Sequence, residues 1–99
     1  MKFSYRVFEV GQDRMVAVCD REILGKEFSG DGLSIEVSKE FYSGSEGGEN
    51  DVLPLVKKST VANVIGEDIV SLLVKKGLVD QKYILKIGGV PHAQIISVE

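Results

Sequence analysis

Apolar and polar residues alternate from Phe3 to Val10. This reads as a strand with Phe3, Tyr5 and Val7 on one face and Ser4 and Arg6 on the other. Gly11-Gln12-Asp13 supplies turn chemistry, and Arg14 to Cys19 is a second, more uniformly apolar strand, so the pair predicts a β-hairpin. Asp20 to Lys26 reads as a turn or a single helical turn that Gly25 ends. Leu33 to Ser38 alternates again, with Leu33, Ile35 and Val37 directed inward. Glu40 to Gly44 leads into Ser45-Glu46-Gly47-Gly48-Glu49, the most polar and glycine-rich stretch, which predicts a mobile surface loop.

From Asn50 the period lengthens. Asn50 is suited to cap a helix running to about Lys58, in which Asp51 and Pro54 are tolerated in the first turn. Val52, Leu53 and Val56 form its apolar stripe. Val61 to Ile65 is a short strand feeding Gly66. Glu67 to Lys76 then carries every mark of a helix: acids in the first turn, lysines in the last and Gly77 as the terminator. Ile69, Val70, Leu72 and Leu73 make its apolar face, with Leu78 packing beyond the glycine. Tyr83 to Ile87 and Ala93 to Val98 read as strands joined by Gly88-Gly89-Val90-Pro91-His92. The order β-β-β-α-β-α-β-β predicts a single α+β domain over residues 1–99. It would be a two-layer sandwich with a mixed, mostly antiparallel sheet and two helices on one face.

Composition narrows the function classes. A chain of 99 residues buries only about 60–65% of its unfolded surface, which favours a surface cleft or flat face over a deep enclosed site. A net charge of −3 argues against bulk attraction to nucleic acid. Residues 1–50 hold six Lys/Arg against ten Asp/Glu, while residues 51–99 hold six against five, which leaves room for a local basic face. One cysteine excludes an intrachain disulfide. The absence of an apolar run near ~18 residues and of a signal-like start leads to the expectation of a cytosolic chain without membrane association.

The densest chemistry lies near the C-terminus. Gly88, Gly89, Pro91, His92 and Gln94 cluster there, and His92 is the only histidine. Alternation puts His92, Gln94 and Ile96 on one side of their strand, so an imidazole and an amide can pair at one sheet end. The plain structural role for His92 is a hydrogen bond that fixes the turn. Asn63, polar within the apolar Val61–Ile65 strand, needs a partner if buried. It either ties the strand end to a loop or lines a site at the strand's carboxyl end. Cys19 beside His92 would make an activated thiolate, yet its position with Met15 and Ala17 reads as core. Asp20 faces the other way and suits a cap on the following turn. One histidine and one cysteine far apart give no metal-ligand spacing, and Gly66-Glu67-Asp68 lacks a phosphate-loop fingerprint, so no metal or cofactor is expected. Lys57, Lys58, Lys75, Lys76, Lys82 and Lys86, with Tyr83 nearby, supply phosphate contacts and a stacking ring if they converge. Singly, they are cations at helix ends.

Five segments in order carry a family resemblance: Val16-Ala17-Val18-Cys19-Asp20, Leu24-Gly25-Lys26, Phe41-Tyr42-Ser43-Gly44, Ala62-Asn63-Val64-Ile65-Gly66-Glu67 and Gly88-Gly89-Val90-Pro91-His92-Ala93-Gln94. Essentially the whole chain resembles an archaeal family catalogued as domain of unknown function family 424. The resemblance implies a small cytosolic archaeal protein associated with RNA or translation, and it brings no established activity or catalytic residues.

Two expectations follow, beside a third in which the glycine-rich turn only stabilises the fold and partners bind elsewhere, for instance at an edge strand. The first is a non-enzymatic interaction module with RNA or a ribonucleoprotein as partner. Its surface would comprise Tyr42 within the Phe41–Gly44 turn, Asn63, and the Gly88, Gly89, Pro91, His92, Gln94 segment, with Tyr42 and His92 as the leading contacts. The second is a small enzyme or metabolite-binding protein whose cleft joins His92 and Asn63 with Cys19 or Asp20. Lysines flanking an exposed His92 would favour the former, and His92 in reach of Cys19 or Asp20 in a pocket would favour the latter.

Overall fold

The structure, a computed structural model, describes residues 2–97. Strands β1 (Phe3–Val10) and β2 (Asp13–Asp20) form the expected hairpin, in register from Phe3 opposite Asp20 to Val10 opposite Asp13. A 3-10 turn at Arg21–Ile23 leads to a separate two-stranded ribbon, β3 (Glu27–Gly30) and β4 (Leu33–Glu36), followed by a short helix α1 (Lys39–Tyr42). Strand β5 (Ser45–Gly47) precedes helix α2 (Glu49–Lys58), strand β6 (Val61–Ile65) and helix α3 (Glu67–Lys75). A second 3-10 turn at Gln81–Tyr83 leads into the final hairpin, β7 (Leu85–Ile87) and β8 (Val90–Ile96).

The main sheet has the order β5-β1-β2-β6-β8-β7, with β2 and β6 parallel and every other pair antiparallel. Helices α2 and α3 cover one face. There Val52, Val56, Ile69 and Leu73 pack on Phe3, Val16, Val18, Val64 and Ala93. The α+β class, the mixed sheet and the two helices on one face are therefore as expected.

The opposite face carries a second, smaller core. Ala17, Cys19 and Ile65 from the sheet meet Val37 and Tyr42, with Phe28, Ile35 and Phe41 packed alongside. The ribbon and α1 thus form a partial third layer. This explains why Val16-Ala17-Val18-Cys19 has no polar alternation: a strand covered on both faces reads as a continuous apolar run.

Local expectations differ from the structure where tertiary contacts prevail. Ser45–Gly47, expected as a mobile loop, is edge strand β5, paired with β1 through Tyr5, Ser4 and Phe3. Gly44 packs close to the Tyr5 carbonyl, and Arg21 reaches Glu46 at 3.3 Å. Of the residues expected inward on β4 and just beyond it, Val37 is buried, Ile35 is half-buried and Leu33 is 46% exposed, because only part of the ribbon rests on the main sheet. Asn50 does not cap α2. Gly48 holds that position, and the Asp51 carboxylate reaches back to accept its N–H at 3.0 Å. The last strand starts at Val90 rather than Ala93, and Val98, its expected end, lies outside the described residues.

Candidate functional site

The β7–β8 hairpin turns through only Gly88 and Gly89, since Ile87 pairs directly with Val90. Both glycines have positive φ, 58° and 83°, as a two-residue turn matched to sheet twist demands. Gly88 also lies against the β3 backbone, where a Cβ would come within 2.8 Å of the Ser29 carbonyl oxygen. Gly88 is therefore a structural corner clamped by the ribbon, while a Cβ on Gly89 would meet open space.

Pro91 faces away from His92. Its buried ring lies on the helix side of the sheet and lines a groove with Val70 and Val74 of α3. Pro91 has no N–H to give Gly66, the residue opposite it. Gly66 donates its own N–H to the Pro91 carbonyl at 3.0 Å and turns its carbonyl to Val70 N–H at 3.1 Å. The missing donor thus coincides with the start of α3, and nothing is left unpaired.

On the other face, alternation and register gather three of the expected residues. Asn63 stands directly opposite Gln94, while His92 is the next same-face residue of β8 and stands opposite Ile65. Asn63 and His92 are half-buried and Gln94 is exposed. The Asn63 amide donates a long contact, 3.6 Å, to the Met15 sulfur. Burial holds the His92 imidazole below its ordinary value, so the ring is neutral at physiological pH. Tyr42 is not part of this surface. Its side chain is only 3% exposed, packed edge-on against Phe41, and burial pushes its hydroxyl up to about 12. Its contribution is structural: the Ser4 hydroxyl donates to the Tyr42 carbonyl at 2.7 Å.

The geometry separates the thiol from the imidazole. Cys19 pairs with Ile65, which pairs with His92, so the two lie two strands apart, ~10 Å at ordinary strand spacing, with Ile65 between them. Burial, reinforced by the Asp20 charge, pushes the Cys19 thiol up to about 12, the opposite of an activated nucleophile. Asp20 points to the helix side and caps α3 rather than the turn that follows it. Its carboxylate accepts the N–H groups of Asp68 and Ile69, both at 2.9 Å. Burial pushes the Asp20 carboxyl above the usual range, against these two donors, which hold it down. No group of three metal-ligating side chains occurs among the described residues.

The lysines do not flank His92. Lys75 and Lys86 line the α3 groove on the far side of the sheet, and Lys82 stands 5.2 Å from the ring centre of Tyr83. Around His92 the structure exposes residues that the sequence reading did not place in the site. Ile96 is 62%, Leu85 50% and Tyr83 71% exposed. Tyr83, Gln94 and Ile96 border a shared hollow of about 610 Å³ with the Gly77–Asp80 turn. A signal for Ile96 was present: in a strand, adjacent Ile95 and Ile96 cannot both face the core.

The family model described as "Protein of unknown function (DUF424)" matches residues 8–98. The chain belongs to the DUF424 family. A solved structure similar to this DUF424 chain is that of an uncharacterized conserved protein from Methanopyrus kandleri. It shares 27% identity and a TM-score of 0.79, with 100% of this chain and 96% of the other covered. No curated protein matches the chain. Among the described residues no helix is long and apolar enough to cross a membrane.

Proposed function

We propose that this DUF424 chain is a non-enzymatic interaction module of the archaeal cytosol. Its contact surface is the open part of the main sheet around β8, comprising Asn63, His92, Gln94, Leu85, Tyr83 and Ile96. The observation that carries this reading is the incomplete cover on that face. The ribbon and α1 shield Cys19, Ile65 and Val90, while Ile96 and Leu85 stay more than half or half exposed beside an amide pair and a neutral imidazole. Exposed apolar side chains among hydrogen-bonding groups, with no lysine or arginine on the β6–β8–β7 part of the face, have the composition of an interface centre. The distance from Cys19 to His92 and the raised thiol speak against the alternative of a thiol enzyme.

One observation favours a nucleic-acid form of the same reading. Tyr83 is freely exposed with Lys82 over its ring, which offers an unpaired base a stacking surface and a phosphate contact. Affinity capture from the native cytosol tests both forms. Wild-type bait is compared with Ile96→Asp, with and without nuclease. Retained material that Ile96→Asp loses and nuclease spares identifies a protein partner. Material lost on nuclease treatment identifies RNA or a ribonucleoprotein. Equal capture by wild type and Ile96→Asp would refute the assignment of this face.

A further inference from the structure

We infer that the outer edge of β7 is a second binding site. It accepts an extended segment of a protein partner as an added antiparallel strand, with a carboxylate side chain opposite Lys86.

The backbone geometry comes first. In the two-residue hairpin Ile87 and Val90 exchange hydrogen bonds, so Lys86 and Pro91 form the following pair, whose N–H and C=O groups point outward from the hairpin. On the Pro91 side this is directly visible, because its carbonyl receives Gly66 N–H at 3.0 Å. On the Lys86 side the same geometry aims its N–H and C=O away from the sheet. No backbone partner meets them among the described residues. Ile84 is the next outward residue. Its N–H is spent on the Gln81 carbonyl at 3.2 Å, which leaves the Ile84 carbonyl as a further acceptor. Beyond Ile87 the edge is closed by Ser29 of β3 against Gly88. An added strand therefore has a fixed stop and a short register, running from Lys86 toward Tyr83.

Side-chain chemistry then selects the occupant. On the helix side, the edge borders a groove of about 670 Å³ with an apolar floor of Val70, Val74, Ile84 and Pro91. Lys75 and Lys86 stand on its walls, and neither lies within salt-bridge distance of a carboxylate among the described residues. Glu67 also lines the groove, so these three charged residues leave it one positive charge in excess. A residue paired with Lys86 projects to the same side as Lys86, where an acid is the favoured cross-strand partner. The residue two positions on, opposite Ile84, falls over the apolar floor. Main-chain hydrogen bonds combined with pockets for alternate side chains are the general mode of strand addition. This site uses none of the residues varied in the capture experiment, so its failure leaves that reading standing.

The test uses a fluorescent, end-blocked peptide, Thr-Glu-Thr-Val-Thr, whose glutamate and valine fall opposite Lys86 and Ile84, titrated with the full chain and followed by polarisation. Saturable binding is expected. Methylating the backbone nitrogen of its glutamate should weaken it at least tenfold, because that change blocks pairing while keeping the carboxylate. Lys86→Glu, at an exposed position, should weaken it about tenfold, and a peptide with lysine in place of the glutamate should restore binding to that variant. Absence of saturable binding to the wild-type chain, or equal affinity for the methylated peptide, would overturn the inference. So would a dimer in sedimentation that Lys86→Glu dissolves, which would give the edge to a second copy, or a labelled oligouridylate that displaces the peptide.

Discussion

Replacing Asp20 by alanine should unfold the start of α3 from a distance of almost fifty residues in sequence. The N-cap position of α3 is Gly66, which has no side chain to satisfy the first N–H groups of the helix. Asp20 of β2 does this instead, with one oxygen on Asp68 N–H and the other on Ile69 N–H, while only 5% exposed. A hydrogen bond to a charged group contributes about 1.5–3 kcal/mol. Losing two would cost more than a typical N-cap, about 1 kcal/mol. Part is returned, because alanine ends the burial of a carboxylate and its repulsion from Asp68 and Glu22. The balance is a loss of about 2–3 kcal/mol, or roughly 10–20 °C in melting temperature for a domain near this size. Calorimetric melting at neutral pH measures it directly. A shift of less than about 4 °C, corresponding to under ~1 kcal/mol, would refute the claim that this carboxylate anchors the helix.

Gly66→Ala probes the same lock from the helix side. With φ at +129° and a Cβ only 2.4 Å from the Asp20 Cγ, alanine should cost at least about 3 kcal/mol. Unchanged denaturant midpoints would show that the helix start can shift. His92 should make stability fall in mild acid. Burial keeps its folded value below 6.5, so the unfolded chain binds the proton first. The contribution of the neutral ring is complete above that value and is lost as pH falls toward the folded one. Between about pH 7.5 and 5.5, urea unfolding should weaken more in wild type than in His92→Gln, and parallel losses would contradict the burial argument. Ile96→Asp, on an exposed position, should change stability by no more than about 0.5 kcal/mol while abolishing partner capture.

Local periodicity was enough to locate β1, β2, α2, β6 and α3, because the apolar period shows within a short window whatever the element later packs against. The caps at the start of α2 and α3, however, fell to Gly48 with Asp51 and to the distant Asp20. Gly77 ends α3 with φ at 74°, as its place after two lysines implied. The grouping of Asn63, His92 and Gln94 was half legible. Alternation put His92 and Gln94 on one side, but only the β6–β8 register set Asn63 opposite Gln94. Tertiary structure alone decided the rest. Ser45-Glu46-Gly47 has little strand propensity of its own and becomes β5 because β1 offers a bare edge. Tyr42 looked like a contact residue, but α1 folds it onto Cys19 and Val37. Pro91 and His92 lie on opposite faces because β8 begins at Val90 rather than Ala93, which takes both into the strand. Which face meets solvent depends on where distant layers end, and neither spacing nor composition encodes that.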